Sequence, residues 1–110
     1  MPESMRRVSF RPQARKDIRD TAAHLLVEAS EAVAVRFQAA VQNLTHTLAG
    51  MPGIGVPCPF RNPKLHDVRR LTVTGFENWL LFYRDTEGRI DVIRVLHGAR
   101  DIGAIFEEDI

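Results

Sequence analysis

Two runs towards the C-terminal end constrain this chain more than any other feature. Trp79–Arg84, "WLLFYR", is apolar on both faces of a strand, and Ile90–Leu96, "IDVIRVL", is nearly so. A strand with one wet face alternates apolar and polar residues, so strands that do not alternate belong at the centre of a sheet. Thr86–Arg89 reads as the hairpin turn between them. Gly75–Asn78 reads as a second turn, back to Asp67–Thr74, where Leu71 and Val73 alternate with Arg70 and Thr72. Links this short make the three strands an antiparallel meander.

The first half has a different period. After a short strand at Val8-Ser9-Phe10, Pro12 fixes a turn or a first helical residue. Ile18, Ala22, Leu25, Leu26 and Ala29 then form the apolar stripe of an amphipathic helix over roughly residues 13–29. Ser30 suits the N-cap of a second helix, with Glu31 well placed for its dipole. Val33, Phe37, Ala40, Val41, Leu44 and Leu48 carry that helix to Gly50. So short a join folds the two helices back as an antiparallel hairpin. The chain therefore reads β-α-α-β-β-β: an α+β domain over residues 1–110, a helical hairpin packed on one antiparallel twisted sheet, with a short C-terminal helix or tail at 99–110.

Residues 51–66, "MPGIGVPCPFRNPKLH", have four prolines and two glycines, which exclude regular structure and predict a long, stiff loop. A loop of this length in a compact domain is more often functional than accidental. Its Gly53-Ile54-Gly55 is not a phosphate cradle, because the third glycine, the Lys-Ser/Thr and the strand-to-helix setting are all missing.

Composition narrows the function classes. At 45% apolar and 26% charged, the chain is ordinary for a soluble globular protein. No apolar run approaches the ~18 residues of a membrane helix. The start "MPESMRRVSF" has no apolar segment of the kind a signal peptide needs. One cysteine, Cys58, fits a reducing compartment, so the expected location is the cytoplasm. His24, His46, His66 and His97 have no metal-ligand spacing, and neither a metal nor a cofactor is expected. The net charge of +1 hides a skew: residues 1–20 and 61–70 are basic, and the last ten are acidic. Thirteen of the fifteen basic residues are arginine, which favours planar, bidentate contacts to carboxylate or phosphate.

Several stretches are familiar in combination. "SFRPQARKDI" leads into the first helix, "DVRRLTV" follows the Pro-rich loop, and an "FYR" strand precedes "IRVLHGARDI". In this order and spacing, across nearly the whole chain, they resemble the ParE/RelE superfamily of toxins from type II toxin–antitoxin pairs. The ending Arg94–Ile102 looks most like the ParE branch. The resemblance implies a toxin that causes growth arrest by acting on DNA gyrase through protein–protein contact. It implies neutralisation by a cognate antitoxin in a hetero-oligomer, with no membrane and no sequence-specific nucleic-acid contact. The alternative it leaves open is a RelE-like endoribonuclease that cuts messenger RNA on the ribosome.

The two readings ask for different residues. Metal-independent RNA cleavage needs a base, an acid and cations around the phosphate. His97 with Arg84 and Arg94 is the best such set, with Arg69 and Glu77 nearby if Arg69, Arg84 and Arg94 share a sheet face. RelE-like enzymes often carry a Tyr or His near the C-terminus, yet the sole tyrosine, Tyr83, lies within the most apolar strand. There a core ring with its hydroxyl bonded is the preferred reading. The bland reading of His97-Gly98 is a strand end, after which Arg100-Asp101 pairs with or caps the tail helix. An inhibitor needs surfaces instead. The expected antitoxin or target contacts are Arg69, Arg70, Arg84 and Arg94 as exposed cations, together with His97, Arg100 and Phe106, the Pro-rich loop and the tail, although the amphipathic set Ile102, Ile105, Phe106 and Ile110 docks more readily on its own core than on a partner.

Overall fold

The computed structural model describes residues 5–109. Strand β1 (Arg7–Phe10) runs into helix α1 (Pro12–Glu28), and α2 (Glu31–Gly50) follows. After the Pro-rich stretch come β3 (Arg69–Val73), β4 (Phe76–Thr86), β5 (Arg89–His97) and helix α3 (Ile102–Asp109). A short strand within that stretch, β2 (Val56–Pro57), completes the sheet. No helix among the described residues is long and apolar enough to cross a membrane.

Local chemistry explains the hairpin. Pro12 opens α1 at a position where its missing N–H costs nothing. Ser30 Oγ accepts the Val33 N–H at 3.1 Å, capping α2. The apolar stripes of both helices then bury Ala14, Leu25, Ala34, Phe37, Val41, Leu44 and Leu48 against one face of the sheet.

The sheet order is β1-β5-β4-β3-β2, so the two-sided strands β5 and β4 lie inside, as their patterns predict. Leu81, Tyr83, Val92 and Val95 face the helices. Phe82, Ile93 and Leu96 face the other side, under Phe106 of α3 and Leu65 and Val68 of the Pro-rich segment. Each face thus has its own apolar cluster.

Three features depart from the sequence reading. The meander β3-β4-β5 is antiparallel, but β1 joins β5 in parallel, so the sheet is mixed rather than wholly antiparallel. Nothing local encodes this: β1 pairs with a strand some eighty residues away, and α1 and α2 lie across the sheet in between. The Pro-rich loop does hold regular structure, a two-residue strand and a 3-10 turn at Pro63–Leu65. Pro57 is tolerated because β2 is the edge, where its missing N–H leaves no gap in the ladder. The first hairpin turn is only Thr74-Gly75, because Phe76 packs edge-on against Phe37 at 5.2 Å and pulls the start of β4 forward.

One ion pair closes the structure. Parallel pairing of β1 with β5 ends at Phe10 opposite Val92, and the Arg11 N–H still reaches the Val92 carbonyl at 3.0 Å. Beyond that point no strand among the described residues lies beside the edge of β5. Asp17 of α1 takes over: its Oδ2 accepts the Val95 N–H at 3.0 Å. Its two oxygens also receive Arg94 Nε and Nη2 at 2.8 and 2.9 Å. Both side chains are more than nine-tenths buried. Removing one partner would strand a charge in the core, so Asp17→Ala should destabilise the fold by about 3–5 kcal/mol. Asp17→Asn, which keeps an acceptor for Val95, should recover only part of that. Urea unfolding of the three proteins measures both effects, and equal stabilities would contradict the assignment.

Candidate functional site

The residues proposed for chemistry do not converge. Arg94 is not the exposed cation expected from its place in "VIRVLH"; it is 5% exposed and bound to Asp17. The reason is a β-bulge: β4–β5 pairing shifts between Phe82 and Tyr83, which face Arg94 and Val92 in turn. The extra residue breaks strict alternation, so Val92 and Val95, three apart, both face the helices.

Arg69 and Arg84 do not share a face either. Arg69 lies opposite Tyr83 in the ladder, so the two side chains point the same way. Arg84, the next residue after Tyr83, points the other way. There it donates Nε and Nη2 to Asp67 Oδ1 at 3.1 and 2.7 Å, and Nη2 to the Lys64 carbonyl at 2.6 Å. It thereby pins the 3-10 turn to the sheet.

His97 ends β5, as its bland reading has it. It sits opposite Trp79, its ring edge-on to the indole at 4.8 Å. Its Nδ1 accepts the Ala99 N–H at 3.0 Å, which leaves Nε2 to carry the ring proton. Arg69 pairs four residues further along β4, roughly 13 Å away by strand rise. Glu77 is taken up by the Gly75 N–H at 2.8 Å. Each member of the set thus has its own structural partner, and the described structure does not bring the five together at one place. Among the described residues, no group of His, Cys, Asp and Glu comes together to hold a metal ion.

The polar centre that does exist anchors a loop. Tyr83 is fully buried, its hydroxyl donating to the Pro52 carbonyl at 2.7 Å and accepting the Gly55 N–H at 2.9 Å. Beside it, Arg69 Nη1 donates to the carbonyls of Gly55 at 2.7 Å and Gly53 at 3.3 Å. Glycine is required at 55: a Cβ there would lie 2.5–2.9 Å from the Tyr83 ring and hydroxyl, which the packed core holds in place. Burial raises the Tyr83 pKa above its ordinary value, and the Gly55 hydrogen bond opposes the shift. Burial likewise raises the Cys58 thiol, against a smaller opposing pull from Arg70, so that sulfur is not activated.

This clamp gives the surface its form. With Pro52 and Gly55 held inward, Met51, Ile54 and Val56 are turned to solvent, each at least two-fifths exposed. Arg70 stands exposed opposite Val56 in the β2–β3 ladder. Arg100 is exposed, while Asp101 Oδ1 caps α3 through the Ala104 N–H at 3.2 Å. Phe106, expected as a contact, is 1% exposed and packs on Phe60 and Phe82. The tail docks on its own core because Ile102, Ile105 and Phe106 share one side of α3.

Asp17 is the important residue that sequence reasoning missed. Its signal was an acid three residues after Ala14 and next to Ile18, inside an apolar stripe. The Tyr83–Arg69 clamp had no local signal, because its partners are backbone groups of a loop.

Comparison with known proteins agrees with this architecture. The family model described as ParE toxin of type II toxin-antitoxin system, parDE, matches residues 8–102. A solved structure described as the chromosomal ParDE TA system from P. aeruginosa superposes with a TM-score of 0.70 at 18% identity. The match covers 86% of this chain and 97% of that one. A search of curated protein sequences gives no match.

Because the buried phenol is favoured in its neutral form, its contribution to stability is present below the ordinary tyrosine pKa and is lost as pH rises through the raised one. The single tyrosine makes this directly readable. Phenolate absorbance should appear at higher pH than in free tyrosine and should track alkaline unfolding. Tyr83→Phe should leave the buried Gly55 N–H unpaired at a cost of about 1–3 kcal/mol. It should also speed proteolysis at residues 51–55. Normal tyrosine titration in the folded protein would contradict this picture.

Proposed function

The chain belongs to the ParE toxin family of type II toxin–antitoxin systems, and on that premise we propose that it arrests growth by binding DNA gyrase, without a cofactor, until an antitoxin neutralises it. The observation that carries this reading is the commitment of every candidate catalytic group to the fold. Arg94 holds Asp17, Arg84 holds Asp67, Arg69 holds the loop carbonyls and His97 holds the Ala99 N–H. A ribonuclease would need at least a base and a phosphate-binding cation free to meet at one place. An inhibitor needs an ordered surface, and those same bonds build one.

On this reading the target and antitoxin contacts centre on the exposed Arg70 and Arg100 and on the loop ridge of Met51, Ile54 and Val56. Arg69, Arg84 and His97 contribute their partly exposed edges. Arg94 and Phe106 act from beneath, as framework. The solved relative described as a ParDE system supports an antitoxin partner for this chain as well.

Purified protein should block supercoiling by gyrase, and translating ribosomes given the same protein should keep their messenger RNA intact. Growth arrest on expression without antitoxin should survive His97→Ala. Cut messenger RNA with unimpaired supercoiling, and loss of arrest in His97→Ala, would overturn the proposal in favour of the ribonuclease.

A further inference from the structure

The Pro-rich segment and α3 meet where Phe60 packs on Phe106, with ring centroids 4.7 Å apart. Beside that contact opens a crevice of about 260 Å³, lined by Phe82 of β4, Cys58 and Phe60 of the loop, and Ile102 and Gly103 at the start of α3. Arg70 of β3 also lines it. That residue stands opposite Phe82 in the β3–β4 ladder, so both side chains leave the same face of the sheet. Gly103 keeps the α3 side clear: a Cβ there would meet only Asp101 Oδ1, at 3.9 Å. Glycine is a poor helix former, so α3 gives up helical stability at the position that borders the crevice.

Arg70 is exposed and makes no hydrogen bond or ion pair among the described residues. In this it differs from Arg69 and Arg84, whose guanidinium groups are bound to loop carbonyls and to Asp67. The acids of the α3 segment are engaged elsewhere. Asp101 caps α3 through the Ala104 N–H, and Glu107 lines a separate crevice with Arg61 and Asn62. Burial keeps the Cys58 thiol protonated, so it serves as a soft apolar wall and not as a nucleophile. The result is an apolar slot with one unneutralised guanidinium.

Those parts select a ligand by size and charge. The volume lies just below the ~300–1,000 Å³ of sites for drug-sized molecules, so it suits a fragment. Phe60 and Phe82 favour an aromatic ring, packed edge-on or offset. A single guanidinium matches one carboxylate through its paired donors. A nucleotide would set a polar sugar against the apolar walls and bring a phosphate dianion to one cation. We propose that this crevice binds a small aryl carboxylate non-covalently, with its ring against Phe60 and Phe82 and its carboxylate on Arg70. The inference goes beyond the gyrase and antitoxin reading and does not depend on it.

The test titrates hydrocinnamate into the full chain and follows amide NMR spectra. Binding should show a Kd of about 1 mM or tighter, with the largest shifts at Cys58, Phe60 and Gly103. Hydrocinnamyl alcohol has the same shape without the charge and should bind about tenfold more weakly. Arg70→Gln should remove that difference, weakening the acid about tenfold and leaving the alcohol as it was. Gly103→Leu fills the slot and should abolish binding of both, while the melting temperature stays level or rises. Should the leucine variant fold poorly, Gly103→Ala reads the same loss on a smaller scale. No binding of the acid at millimolar concentration, equal affinity for acid and alcohol, or binding indifferent to Gly103→Leu would each overturn the proposal. Tighter binding of phenyl phosphate would overturn it in favour of a phosphate ligand. Tighter binding of the peptide Gly-Gly-Phe, which carries the same ring and carboxylate at a chain end, would overturn it in favour of a protein terminus. Each failure leaves the toxin reading as it stands, because neither target nor antitoxin enters the assay.

Discussion

The carboxylate of Asp17 does for β5 what β1 stops doing after Phe10. A parallel strand only four residues long cannot satisfy the edge of a nine-residue one, and an unpaired buried N–H is costly. One side chain from the first helix accepts the Val95 N–H and, with the charge it thereby brings into the core, demands a buried cation. Arg94 supplies it. The pair fixes α1 on the sheet, and α1 carries α2 with it. Such pairs are not a large net source of stability. Breaking one is nonetheless costly, because it leaves an uncompensated charge in the core.

The same economy recurs across the sheet, where polar side chains are used to hold segments that have little regular structure. Arg6 ties the start of the chain to Asp85 through two bonds of 2.9 and 3.3 Å. Arg11 reaches Asp91 at 3.1 Å, Arg84 secures the 3-10 turn, and Tyr83 with Arg69 secures the loop before β2. Among the described residues, no buried side-chain polar atom lacks a hydrogen-bond partner. A site for acid–base chemistry would need some of these groups poised and incompletely satisfied. Their completeness shows that the buried polar side chains serve the fold.

Much of the fold was readable from residues alone. The helical hairpin, its Ser30 cap, the central position of "WLLFYR" and "IDVIRVL", and the burial of Tyr83 with a bonded hydroxyl follow from periodicity and local chemistry. The site was less readable. Arg69, Arg84 and Arg94 look equivalent as cations within strands, and only register separates them: one faces a loop, one a turn and one an acid on α1. A single bulge residue decides the last case, and a bulge leaves no mark in an alternation pattern that is already apolar on both faces.

The sequence by itself determined the order of elements, the two helical stripes, the two strands that must lie inside, and membership in a family recognised by the spacing of otherwise unspecific motifs. These are properties of neighbours in the chain, set by steric and hydrophobic preferences that act over a few residues. Tertiary structure alone decided that β1 runs parallel to β5, that Pro57 lies on an edge, and which arginines remain at the surface. Those outcomes depend on pairings between residues up to about eighty positions apart. At such separations it is the need to satisfy every buried polar group, and not any local preference, that selects the partner.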